Sequence, residues 1–189
     1  MRKIIAFEFI TVNGMMLDPG DTFNWVKDSF DEEMLREISD QQNRVDTLLL
    51  GRLTYQLLAN YRSTTNKKSI DSASMIFLNE VNKIIFSKTL RTADWKNSII
   101  EKSIDAEKVK AWQKLPGQDM AIIGSASIVQ AFINLRLINE FHFLIHPLTL
   151  AKGKPLFDNI TDRHSLKPIK TKTFKNGVVY LCYQSSSVI

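Results

Sequence analysis

The chain has 189 residues, a span that fits one domain and can bury a sizeable core without disulfide or metal staples. Hydrophobic residues make up 44% and charged residues 24%, which excludes wholesale disorder and a collagen-like repeat, and no apolar run is long enough to cross a bilayer. The net charge of +5 is uneven, net −5 over residues 1–50 and net +10 over 51–189, without the basic block, aromatic interleaving or zinc-ligand spacing of a nucleic-acid binder.

Met1-Arg2-Lys3 leads into an apolar run from Ile4 that Glu8, Thr11 and Asn13 interrupt, so residues 3–12 predict a first strand rather than a signal peptide. The single Cys182 has no partner for an internal disulfide and sits in the apolar run 178–183, as expected of a buried, inert thiol in a cytoplasmic protein. Asn13-Gly14 ends the strand, and residues 14–30 read as a loop holding Pro19, Gly20 and Trp25. Asp31-Glu32-Glu33 opens a helix, with Met34, Leu35 and Ile38, and less cleanly Gln42 and Val45, on its buried side. Thr47–Leu50 is a short apolar strand, followed by Gly51-Arg52 and a helix through Thr54–Leu58.

A helix over 71–80, a strand over Lys83–Ser87 and a further strand over 97–102 follow. Residues 105–115 predict a helix with Val109, Trp112 and Leu115 on one side; Met120–Ile123 is a strand, 126–136 a helix and 140–146 a strand. Residues 166–174 and 178–184 predict two strands joined at Lys175-Asn176-Gly177, since Asn-Gly is a strong hairpin signal. The expected architecture is a three-layer α/β domain over residues 1–189, with a mixed, mainly parallel sheet, helices on both faces and a C-terminal antiparallel hairpin.

Ligands of such sheets bind beyond the carboxyl ends of the strands. Three strand-to-helix junctions carry suitable groups: Gly51-Arg52-Leu53-Thr54, Ser87-Lys88-Thr89 and Gly124-Ser125-Ala126-Ser127. Each offers backbone amides, hydroxyls or a cation to an anion, and each is also readable as a turn with surface polar residues. The spacing matches neither G-x-G-x-x-G nor a P-loop. His142 and His146 share one side of a strand but stand ~13 Å apart, too far for a metal pair, and a neutral or surface-facing role is expected for each. With no hydrolase elbow, EF-hand loop or H-E-x-x-H, no metal is expected.

Five segments in order carry a resemblance: Thr11–Gly14, Leu49–Tyr55, Lys83–Leu90, Ile123–Gln130 and His146–Phe157. In them the chain resembles the dihydrofolate-reductase-like family, including the C-terminal reductase domain of bifunctional bacterial riboflavin biosynthesis proteins. The resemblance implies an NADPH-dependent reductase of a small heterocycle, most like 5-amino-6-(5-phosphoribosylamino)uracil reductase or a standalone paralogue. It implies that Gly51, Arg52 and Thr54 meet the cofactor phosphates, that Ser87, Lys88 and Thr89 lie near the adenine ribose and its 2′-phosphate, and that Gly124, Ser125, Ala126 and Ser127 form the turn under the pyrophosphate. On the substrate side it points to Asn13, Trp25 and Asp31, with Asp28 and Glu32 as alternatives for the carboxylate that dihydrofolate reductases place at the first helix. Asn13 stands where the family often has Asp, and Ser125-Ala126 where it often has a further glycine. A homodimer is expected, with Phe141, Phe143 and Tyr180 as apolar residues for its interface. Dihydrofolate reduction and a non-catalytic nucleotide-binding protein of the same fold are the alternatives.

Overall fold

The structure is a computed structural model that describes residues 1–63 and 72–186; the side chains of residues 27, 28, 61–63 and 72 are outside that description. Strands β1 (Ile4–Thr11), β3 (Val45–Gly51), β4 (Asn82–Phe86), β5 (Ser98–Glu101), β6 (Asp119–Ile122), β7 (Glu140–His146), β9 (Leu166–Thr173) and β10 (Val179–Ser185) form one sheet. Its order is β5-β4-β3-β6-β1-β7-β10-β9. Pairing is parallel from β5 to β7 and antiparallel from β7 through β10 to β9, the mixed sheet with a C-terminal hairpin expected from the sequence. Helices α4 (Ala106–Lys114) and α5 (Ala126–Asn134) cover one face, burying Val109, Val129 and Phe132 against Ile4, Ala6, Leu49 and Ile122. Helices α1 (Glu32–Gln42), α2 (Arg52–Ser63) and α3 (Ser72–Glu80) take the other, where Met34, Tyr55 and Leu78 meet Phe7, Leu48, Leu50 and Leu144. The adjacent leucines Leu48, Leu49 and Leu50 thus serve opposite faces, which is why β3 is apolar throughout.

Four details depart from the sequence reading. Val45 opens β3 instead of closing the stripe of α1, whose third buried position is Glu37, neutralised by Lys170 at 2.8 Å. Leu115 leaves the helical path as an extended C-cap and is 54% exposed, while Gln113 is buried. The two-stranded sheet of β2 (Met15–Leu17) and β8 (Lys154–Pro155) has too few residues for a periodicity to show. Phe141, Phe143 and Tyr180 are 2%, 5% and 1% exposed inside the protomer, so they are not free to form a dimer interface. No helix among the described residues is long and apolar enough to cross a membrane.

Candidate active site

The chain visits β1, passes outward to β3, β4 and β5, and returns to β6 between β3 and β1 before crossing to β7. The strand order therefore reverses at β6 and β1, the point at which an open α/β sheet offers a ligand crevice outside the carboxyl ends of its strands. All three junctions lie on this edge, on the neighbouring strands β4, β3 and β6.

The first and third junctions touch. A Cβ on Gly51 would stand 2.6 Å from Ser125 Oγ and 3.3 Å from Ser125 Cβ, so the two turns approach closely and a bulkier residue here would press on the start of α5. Gly124 has φ +69°, a left-handed backbone conformation suited to glycine, and a Cβ on it would lie 3.3 Å from Thr54 Oγ1. Its peptide bond to Ser125 is cis. Ser125 is the N-cap of α5, but its side chain makes no capping bond; its hydroxyl lies 3.0 Å from Ser127 Oγ. The amides of Ala126 and Ser127 consequently have no protein acceptor among the described residues, leaving an anion-seeking helix N-terminus beside Gly51. Arg52, first residue of α2, donates from Nη1 to Gln56 Oε1 at 2.9 Å.

The second junction is organised by Ser87, whose Oγ accepts from the amides of Leu90 (2.9 Å) and Thr89 (3.2 Å). That hydroxyl builds the turn. Lys88 and Thr89 are exposed on it, and Lys88 has no ion-pair partner among the described residues.

The residues expected on the substrate side are held in different ways. Asn13 fastens the loop after β1 to the loop after β7: its Nδ2 donates to Leu150 O at 2.8 Å, and its Oδ1 accepts from Leu150 N–H (3.2 Å) and Thr11 Oγ1 (2.7 Å). Asp31 caps α1, accepting from Met34 N–H at 2.8 Å. Glu32 pairs with Arg36 one turn on at 3.1 Å, in an exposed position. The side chain of Asp28 lies outside the description. Trp25, in a 3-10 turn over Asn24–Ser29, packs edge-on against His146 with ring centroids 5.1 Å apart. Both carry a buried nitrogen without a hydrogen-bond partner, Trp25 Nε1 and His146 Nε2, while His146 Nδ1 lies 3.0 Å from Ser29 Oγ. Burial holds the His146 pKa down at about 4, so the ring is neutral, and it is fully buried rather than surface-facing. Unpaired buried polar atoms call for an explanation, and here both lie at the carboxyl end of β7.

Glu8 is the functional candidate the sequence reading passed over. It lies in the central strand β1, 3% exposed, and its Oε1 accepts from Gly124 N–H at 2.8 Å. Burial raises its pKa to about 8, against the smaller lowering effect of that hydrogen bond. The signal was an acidic residue amid the apolar run Ile4–Ile10, used above only to exclude a signal peptide.

A second buried polar group lies at the opposite end of β7. Glu140, His142 and Cys182 bring ligand-type atoms within 4.8 Å of one another. Both ring nitrogens of His142 are engaged, Nε2 with Glu140 at 3.1 Å and Nδ1 with Tyr180 at 2.9 Å. Burial raises the Cys182 thiol pKa, which keeps it protonated. These residues form a hydrogen-bonded piece of core; His142, like His146, is buried and its pKa is lowered chiefly by that burial.

The family model described as the RibD C-terminal domain matches residues 2–180. The uncharacterized protein YyaP of Bacillus subtilis (strain 168) is 32% identical over 182 residues, covering 96% of this chain and 94% of its own. Among solved structures, a diaminohydroxyphosphoribosylaminopyrimidine deaminase/5-amino-6-(5-phosphoribosylamino)uracil reductase of Thermotoga maritima has a TM-score of 0.69 at 12% identity, over 98% of this chain and 57% of that one. A dihydrofolate reductase of Enterococcus faecalis, complexed with NADP(H), has a TM-score of 0.63 at 12% identity, over 98% of this chain and 97% of that one. These two likenesses bear on the fold.

Proposed function

The chain belongs to the RibD C-terminal domain family, and from that premise we propose that it is an NADPH-dependent reductase of a small heterocyclic substrate, acting in the cytoplasm. The observation that carries this reading is the contact between Gly51 and the Ser125 turn beside the uncapped start of α5. A dinucleotide fits it by chemistry: a pyrophosphate needs closely approachable backbone and free amides, and both are there. Ala126 and Ser127 would hold the pyrophosphate, Arg52 and Thr54 would flank it, and Lys88 with Thr89 would receive the 2′-phosphate. NADPH held in this way supplies a hydride; the protein's task is to bind and orient both reactants.

The substrate lies on the β1 and β7 side of the crevice in this reading. Trp25 Nε1 can donate to a substrate acceptor, and His146 Nε2 can pair with a polar group beside it. A phosphoribosylamino-pyrimidine of the riboflavin type is the favoured class. Dihydrofolate reduction is less well supported, because Asp31 and Glu32 are engaged in capping and in an ion pair. A homodimer stays part of the proposal on family resemblance alone.

The test is NADPH oxidation followed by absorbance with 5-amino-6-(5-phosphoribosylamino)uracil or dihydrofolate as acceptor. We expect turnover with the pyrimidine, and a Trp25→Phe variant that keeps the ring but loses the N–H should show a KM raised about tenfold, one neutral hydrogen bond. Turnover with dihydrofolate alone would reverse the substrate assignment. Turnover with neither acceptor, despite NADPH binding, would favour the non-catalytic alternative.

A further inference from the structure

We propose that Glu8 is a positioning residue of the nucleotide site, a carboxylic acid that must keep its proton for an anionic cofactor to bind; this rests on the reading of the Gly124 turn as the pyrophosphate seat.

The geometry starts from the sheet. Strands β1 and β6 run in register through Ile4 with Met120, Ile5 with Ala121 and Ala6 with Ile122. Two residues further, Glu8 stands level with Gly124, where β6 has left the ladder to start its turn. The Gly124 amide has no strand acceptor there, and the Glu8 carboxyl reaches across to supply one at 2.8 Å. The side chain thus spans the gap that opens the crevice, and among the described residues Gly124 is its only hydrogen-bond partner. Among the same residues its second oxygen has none.

Among the described residues, those around Glu8 offer no charge to offset an anion. On β7 the residue level with Glu8 is Phe143. β2 contributes Met16, and α5 contributes Ile128, both in the same apolar cluster as Phe143. On β1 itself the same face carries Ala6 and Ile10. His142 and His146 belong to the opposite face of β7, and Arg52, at the head of α2, is turned to Gln56. Burial is accordingly the dominant cause of the raised pKa. A neutral acid accepts from the Gly124 amide without placing charge next to a pyrophosphate. Once ionised, the same oxygen would set a negative charge one residue from the turn, in a site with little water to screen it.

The sign follows from linkage. With a pKa of about 8, the protonated fraction falls from about nine tenths at pH 7 to about one tenth at pH 9. If only that form binds, the apparent Kd for NADPH rises about tenfold over the interval. The 2′-phosphate titrates near pH 6, below this interval, so it does not produce this slope.

The experiment is a fluorescence titration with NADPH from pH 7 to 9 on the full chain and on Glu8→Gln and Glu8→Ala. The wild type should weaken about tenfold. Glu8→Gln keeps a neutral acceptor for Gly124 and should bind nearly as tightly as the wild type at pH 7, with a flat profile. Glu8→Ala should bind several-fold more weakly than Glu8→Gln at every pH, because the Gly124 amide loses its acceptor, and its profile should be flat as well. Should it fail to fold, the Gln profile still decides. Parallel profiles for wild type and Glu8→Gln would overturn the inference while leaving the reductase reading standing. No NADPH binding by the wild type at any pH would overturn both.

Discussion

Replacing Gly153 with alanine is expected to destabilise the protein by about 3 kcal/mol, seen as a fall in Tm of about 6–12 °C. Gly153 has φ +155°, and a Cβ on it would stand 2.1 Å from the carbonyl oxygen of Leu17. That neighbour is backbone, so no side chain can swing aside. Gly153 lies one residue before β8, which pairs with β2, so relief requires β2 and β8 to separate. The same strip holds the loop after β1 in place through Leu156 N–H to Gly14 O at 2.9 Å and the Lys154–Asp21 ion pair at 2.7 Å. Calorimetry on Gly153→Ala checks this, with Lys152→Ala as the exposed neighbour expected to stay within about 0.5 kcal/mol of wild type. An unchanged Tm for Gly153→Ala would mean the close approach to Leu17 is not part of the folded state.

Gly51→Val should remove nucleotide binding almost completely, by about a hundredfold or more in Kd. Alanine already brings a Cβ to 2.6 Å from Ser125 Oγ, which a rotation of that hydroxyl can relieve. Valine adds two further carbons facing Ser125 Cβ at 3.3 Å and Ile128 Cγ1 at 3.4 Å from the branch point. The start of α5 must then move away from β3. Loss of two charge-assisted bonds to its free amides, each about 1.5–3 kcal/mol, corresponds to at least that hundredfold. Titration of Gly51→Ala and Gly51→Val with NADPH, alongside their melting curves, checks it. A folded valine variant that binds as the wild type does would remove the first and third junctions from the cofactor site.

The residues that made the fold legible are those with one task. Leu48 to Leu50 and Met120 to Ile122 read as doubly covered strands because every side chain is buried. Asn176-Gly177 marked the hairpin through local turn chemistry, seen in Gly177 N–H to Phe174 O at 3.0 Å. The junction glycines were visible as punctuation after apolar runs, but that Gly51 and Ser125 touch is a property of β3 and β6 being neighbours, which spacing does not encode. Asp31, expected as a site carboxylate, also caps α1, and both roles select an acid at a helix start. Glu8 went the other way. An acid inside an apolar strand is costly unless something uses it, and that cost was the available signal. Trp25 stands out in the sequence, whereas the role of His146 does not, because the loop that covers it, 24–29, comes from over a hundred residues earlier.

A cofactor site spread over the junctions after β3, β4 and β6 and selective for a 2′-phosphate is tested most directly by titrating NADPH and NADH into the wild type, Lys88→Ala and Arg52→Ala. The wild type should prefer NADPH about tenfold or more, one charge-assisted bond to the 2′-phosphate. Lys88→Ala should narrow that gap, and Arg52→Ala should weaken both nucleotides alike. Wild-type affinities that are equal for the two nucleotides, or that neither substitution changes, would contradict the account.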